Sequence, residues 1–189
     1  MRLLAFAASL RRGSWNRKLL DCAARVVRSR GAEVDIAEFA EFDVPLYNGD
    51  VEQGDGVPAG AQEFGRRISA ADGLLLVSPE YNYSLPGTLK NLIDWLSRIR
   101  PVPLRGKHAV LLSTSSGPFG GIRGLWQLRI PLEGLGVIVF PEMFALASAA
   151  KAFGEGGELA DPSTSERLSK LLDNYLDMAG RLSRGKADT

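Results

Sequence analysis

Three short stretches carry more polar and aromatic groups than a bare chain connection needs. The first, ASLRRGSWNRK (residues 8–18), offers short donors at Ser9, Ser14 and Asn16 and charge at Arg11 and Arg12. It runs into what reads as the start of a helix, where free N–H groups and the helix dipole favour an anion. A phosphate monoester dianion fits that chemistry. Taken alone, a Ser14 that merely caps the helix beside solvated arginines fits equally well. The second stretch, SPEYNYSLPGTLKNLIDWLSR (residues 78–98), puts Pro79, Glu80, Tyr81 and Asn82 directly behind an apolar run. Main-chain donors and acceptors beside aromatic rings suit a flat molecule with a polar edge. The third, STSSGPFGGIR (residues 113–123), contains Ser115, Ser116 and Gly117. Its glycines let main chain approach a ligand closely.

Other chemistries find little support. No GxxxxGK[ST] occurs, and GDGVPA (residues 54–59) follows no strand and contains Pro58, so it reads as turn material. Cys22 and Arg28 have the C-x5-R spacing of cysteine phosphatases, but CAARVVR has helical patterning and no glycine to wrap a thiolate. GxSxG is absent, which argues against an α/β-hydrolase. One His and one Cys make a His- or Cys-based metal site improbable, and no metal is expected. His108 is expected at the end of the sheet away from the three stretches, as a surface or packing residue.

The elements that would position these stretches can be read from periodicity. Arg2–Ala7, Glu33–Ala37, Gly73–Val77, Lys107–Ser113 and Val137–Phe140 read as strands. Helices are predicted over Trp15–Arg30, about 61–70, Pro86–Arg98, from about 122 to Leu135, and Glu166–Leu182. Residues 41–60 and 141–163 read as irregular. Strand and helix alternate five times, which predicts an α/β fold with an open, doubly wound parallel sheet and helices on both faces. In the flavodoxin-like order 2-1-3-4-5 the first, third and fourth strands are adjacent, so all three stretches meet at one sheet edge. That convergence favours the phosphate reading of the first stretch. Residues 1–184 are expected to form one domain, with 185–189 a disordered tail.

The totals narrow the class. A net charge of +1 gives no reason to expect a nucleic-acid or membrane partner. The apolar N-terminal run is too short for a secretory signal and reads as a strand. A single Cys fits a reducing cytoplasm.

Together the three stretches resemble the NAD(P)H-dependent FMN reductase family of flavodoxin-like flavoproteins, which includes quinone and chromate reductases and relatives of azoreductases. The resemblance spans roughly residues 1–145, and PEYN followed by PG and LKN is its most specific part. It implies FMN as cofactor and NADPH or NADH as donor. The FMN phosphate would contact Ser9, Arg11, Ser14 and Asn16. Pro79, Glu80, Tyr81 and Asn82 would line the ring, and Ser115, Ser116 and Gly117 its other side or the ribityl chain. Hydride would pass from NAD(P)H to flavin N5 and then to a quinone or similar small acceptor, a ping-pong scheme with no catalytic side chain. Glu80 should point away from the ring or be paired, because a bare carboxylate there disfavours flavin reduction.

The family also implies a homodimer or homotetramer. Phe119, Trp126, Phe140 and Phe144 are candidates for its contact area or for the core, and Arg123 is a candidate to pair with Glu142 across subunits. Arg12, Arg17 and Arg100 are candidates for a 2′-phosphate contact. Many relatives have Gly where this chain has Ala8. The competing class is a flavodoxin-like electron carrier without pyridine-nucleotide turnover, which the balanced charge disfavours.

Overall fold

Continuous apolar runs form the centre of the sheet because both of its faces are covered. In the computed structural model, which describes residues 1–184, the strands are β1 (Arg2–Ala7), β2 (Glu33–Ala37), β3 (Gly73–Val77), β4 (His108–Thr114) and β5 (Ile138–Leu146). All pair in parallel, in the order β2-β1-β3-β4-β5. The expected disordered tail, residues 185–189, lies outside the described residues. The helices are α1 (Trp15–Ser29), α2 (Gly49–Asp55), α3 (Ala59–Ser69), α4 (Gly87–Leu96), α5 (Ile122–Gly134), α6 (Ala149–Ala152) and α7 (Pro162–Arg184).

Alternate strand residues feed two cores. Leu4, Phe6, Leu74, Leu76, Ala109 and Leu111 pack under α3, α4 and α5. Leu3, Ala5, Leu75, Val77, Val110 and Leu112 pack under α1 and α7. Each fully buried leucine contributes about 1.5–3 kcal/mol from burial alone. Phe140 and Phe144 belong to the second core, whereas Phe119 and Trp126 are exposed.

Several elements differ from their sequence-based expectations, among them the short α6 inside the stretch 141–163. The irregular stretch 41–60 contains α2, a polar helix with no buried residue, which leaves no apolar stripe to read. Its Asn48 side chain accepts from the Asp50 N–H at 2.9 Å and so caps it. β5 runs past Pro141 to Leu146. The pairing passes from Ala109↔Val139 to Leu111↔Met143, so four steps along β5 match two along β4. Pro141 falls in this bulge, where its missing N–H breaks no ladder. α7 begins four residues earlier than predicted, at Pro162 rather than Glu166.

The cause of that early start is Asp161, whose carboxylate accepts from the Ser163 and Thr164 N–H groups and from both hydroxyls. Pro162 then fills the first helical position. Those bonds lower the Asp161 pKa from 3.8 to about 2. A carboxyl held more acidic in the folded state stabilises that state above its unfolded pKa, and the contribution disappears as pH falls through the folded one. Asp161→Ala should therefore lower Tm by a few degrees at pH 7, and the difference from wild type should shrink between pH 4 and pH 2. Thermal melts across that range check both statements.

His108, the first residue of β4, is buried and hydrogen-bonded through Nδ1 to the Tyr175 hydroxyl at 2.8 Å. It lies at the N-terminal edge of the sheet, as expected for a packing residue. No helix among the described residues is long and apolar enough to cross a membrane.

Candidate functional site

The loops after β1, β3 and β4 meet at the C-terminal edge of the sheet. In the first loop the Ala8 N–H donates to Val77 O at 2.9 Å, which ties the loop to β3. Ala8 is not among the residues with positive φ, so an alanine there carries no left-handed backbone cost. Ser14 occupies the N-cap position of α1 in extended conformation, but its side chain makes no capping bond. The first turn of α1 holds no acidic residue. The helix start thus keeps its positive field, and the buried Ser14 hydroxyl is not consumed by the cap. Among the described residues Arg11 has no carboxylate partner. Its guanidinium lies 5.9 Å from the Trp15 ring centroid.

Asn16 is buried in the first turn of α1. Its Nδ2 donates to Thr114 O, and its Oδ1 accepts from the Thr114 N–H, both at 3.0 Å. These bonds tie the start of α1 to the end of β4 across 98 residues. They use both ends of the amide and leave one N–H of the side chain for a ligand.

The second loop is a tight turn. Tyr81 and Ser84 exchange main-chain bonds of 2.9 and 3.0 Å around Asn82 (φ 49°) and Tyr83 (φ 67°). Two left-handed residues in succession normally demand Asn-Gly, and here the second is a tyrosine. Glu80 is paired within the chain, as its position requires. Its Oε1 accepts from Arg123 Nε at 2.9 Å and lies 2.7 Å from Arg123 Nη2, while Oε2 accepts from the Gly124 N–H at 3.1 Å. The carboxylate therefore caps α5 and has its charge compensated. Within the chain Arg123 is engaged by Glu80, and Glu142 accepts from Asn174 at 3.5 Å. A Cβ on Gly124 would sit 3.1 Å from Glu80 Cα and from Ser84 O, so glycine lets the second loop pack close against α5.

The third loop is held from below. Ser148 and Ala149 donate main-chain bonds to Gly117 O (3.3 Å) and Ser115 O (3.0 Å), and Ser115 N–H donates to Leu146 O at 3.2 Å.

Between the loops lies a cavity of ≈ 150 Å³ lined by Ser9, Arg11, Ser14, Asn16, Pro79, Glu80, Tyr81, Ser115 and Ser116. Trp15 and Thr114 complete the wall, and sequence reasoning passed over both. Their signal was their position beside Ser14, Asn16 and Ser115. Asn82 and Gly117 are not part of the lining. A larger cavity of ≈ 580 Å³, walled partly by Arg66, Arg98 and Arg100, runs along α3 and shares no lining residue with the first. Two of its arginines are already paired, with Glu63 and Glu52, and Arg100 donates to the Ser97 and Ile99 carbonyls.

Comparison with known proteins decides between phosphate-binding folds. The family model for NADPH-dependent FMN reductases matches residues 1–151. The chain belongs to that family. The chain is 39% identical over 174 residues to an NAD(P)H-dependent FMN reductase of Pseudomonas aeruginosa, covering 91% of each protein. It is 35% identical over 185 residues to the quinone reductase of Escherichia coli (strain K12), covering 96% of this chain and 97% of that one. Among solved structures, the flavoenzyme NAD(P)H:(acceptor) oxidoreductase FerB of Paracoccus denitrificans superposes with a TM-score of 0.82 at 28% identity, over 95% of this chain and 97% of that chain.

As an FMN reductase family member the chain is an oxidoreductase with FMN and NAD(P)H as cofactors, and its site fits an FMN phosphate. The helix start carries no capping bond, Arg11 is unpaired by carboxylate, and Glu80, the one carboxylate in the cavity wall, is compensated. The cavity is smaller than the about 300–1,000 Å³ that encloses a whole ligand, so it suits the phosphate end. Of the arginines considered for a 2′-phosphate, Arg17 is paired with Glu38 at 2.7 Å and Arg100 lines the other cavity. Cys22 lies on α1 with its pKa raised, chiefly by burial, which rules against a thiolate nucleophile.

Proposed function

We infer that the chain is an NAD(P)H:acceptor oxidoreductase whose FMN phosphate binds at the start of α1 and whose acceptor is a quinone or similar small electrophile. The uncapped α1 N-terminus, opening on a cavity walled by Ser9, Arg11, Ser14, Ser115 and Ser116, carries this reading. Ser9, Arg11 and Ser14 hold the phosphate, and Asn16 supplies its remaining N–H while fixing the helix start. Main-chain groups of Pro79, Glu80, Tyr81 and Asn82 meet the polar edge of the ring. Ser115, Ser116 and Gly117 face its other side or the ribityl chain. When bound, FMN supplies the redox chemistry, taking hydride from NAD(P)H and passing the electrons to the acceptor. The residues of the chain orient and bind, and none is assigned as acid, base or nucleophile. We place the protein in the cytoplasm, in keeping with its single cysteine.

A homodimer or homotetramer is supported by exposed Trp126 and Ile130, one turn apart on α5, with exposed Phe119 close in sequence.

Steady-state turnover tests the reading. NADH or NADPH oxidation with a quinone should give parallel double-reciprocal lines. FMN binding without nucleotide oxidation would instead support an electron carrier. The phosphate assignment has its own test. Arg11→Ala should weaken FMN binding by about 1.5–3 kcal/mol, roughly 10–100-fold, and leave riboflavin affinity nearly unchanged. Equal losses for both ligands would contradict it.

A further inference from the structure

Arg123 connects parts of the site that the sequence keeps apart. Its guanidinium binds Glu80 through Nε and Nη2 at 2.9 and 2.7 Å. The same group stands 4.0 Å from the Tyr83 ring centroid and 4.9 Å from that of Phe119. One side chain on α5 therefore grips the second loop twice and the third loop once. Tyr83 needs the grip. The residue is 68% exposed, so no core burial holds it, yet its main chain is left-handed at φ 67°. That conformation is disfavoured for any residue with a Cβ. Strain of this kind persists only where the surroundings impose it, and it collects at ligand-binding turns. The stacked guanidinium is such a restraint, since a cation over an aromatic face attracts it. Arg123 also compensates Glu80, whose side chain is only 9% exposed.

We propose that Arg123 is a positioning residue that holds the strained Asn82–Tyr83 turn in its binding conformation and cancels the Glu80 charge beside the cofactor. The cofactor part rests on the FMN reading above, and the turn part does not. Arginine is needed for both tasks, because its planar group can stack and bond at the same time.

The first experiment is amide hydrogen exchange on the full chain without FMN. Arg123→Gln should speed exchange at Tyr81 and Ser84, whose N–H groups close the turn, at least tenfold. Adding Tyr83→Gly should restore most of the protection, because glycine adopts a left-handed conformation without strain. A merely destabilising loss of Arg123 would not be rescued this way. Unchanged exchange in Arg123→Gln, or no rescue by Tyr83→Gly, would overturn the positioning role.

The second experiment compares dissociation constants of oxidised and reduced FMN. Arg123→Gln should weaken the reduced form at least tenfold more than the oxidised form, a fall of about 30 mV for a two-electron couple. Glu80→Gln in the same chain should reverse that difference. A ratio unmoved by Arg123→Gln, in a wild-type protein that binds FMN, would overturn the charge role. A wild-type protein that binds no FMN would overturn both the charge role and the FMN reading, while the exchange result would still judge the turn.

Discussion

Asn16→Ala should lower stability by about 2–4 kcal/mol, because it strands two main-chain groups at once. Thr114 is 2% exposed, and its N–H and C=O both bond to the Asn16 amide at 3.0 Å. An unsatisfied buried polar group costs about 1–3 kcal/mol, and entry of water from the adjoining cavity offsets part of the sum. Tm should fall by roughly 10 °C in a chain of this size. FMN affinity should fall as well, because the same bonds fix the distance between the first and third loops. Thermal melts and FMN titration measure the two effects separately. A Tm within a degree or two of wild type would show that the Asn16 bridge is not what joins α1 to β4.

Gly120→Ala should be comparably damaging for a different reason. Gly120 has φ +61°, and a Cβ there would lie 2.6 Å from Leu146 N and 2.8 Å from the carbonyl carbons of Ala145 and Leu146. All three are main-chain atoms. Leu146 cannot retreat easily, because its carbonyl accepts from Ser115 N–H at 3.2 Å and Thr114 Oγ1 at 2.9 Å. The left-handed conformation costs about 1–2 kcal/mol for alanine, and overpacking adds about 1–3 kcal/mol. The third loop should lift from the end of β5, and FMN affinity should fall on the order of 10–100-fold with the displacement of Ser115 and Ser116. Gly117→Ala is the control. The nearest atom to its added Cβ is Ser115 Oγ at 3.8 Å, so stability should barely change. Similar losses in both variants would show that the backbone of the third loop is not pinned at Gly120.

These two sites show which features a sequence can disclose. β1 and β3 carry compact apolar runs and β2 alternates Val34 and Ile36 with Glu33 and Asp35, so these strands are legible from local pattern. Their alternation with helices predicts a parallel sheet, and the flavodoxin-like strand order brings the three loops together. β5 was cut short because Pro141 reads as a strand end, and only the bulge opposite Val110 shows how pairing resumes beyond it. α2 lacks any buried face. The contacts that organise the site are harder still. Asn16 and Thr114 are 98 residues apart, and Glu80 and Arg123 are 43 apart. No local period links such pairs. Short polar residues in a loop disclose that a ligand is held, whereas the division between groups that bind it and groups that brace the loops depends on tertiary geometry. Asn16 illustrates the division, since its amide is mostly spent on Thr114.

The central claim is that FMN binds at the three loops and is reduced there by a pyridine nucleotide. The most direct measurement is titration of the purified protein with FMN, followed by visible spectra before and after NADH or NADPH under anaerobic conditions. Saturable binding and bleaching of the flavin band by at least one donor is the predicted result. Failure to bind FMN, or binding with no bleaching by either donor, would contradict it.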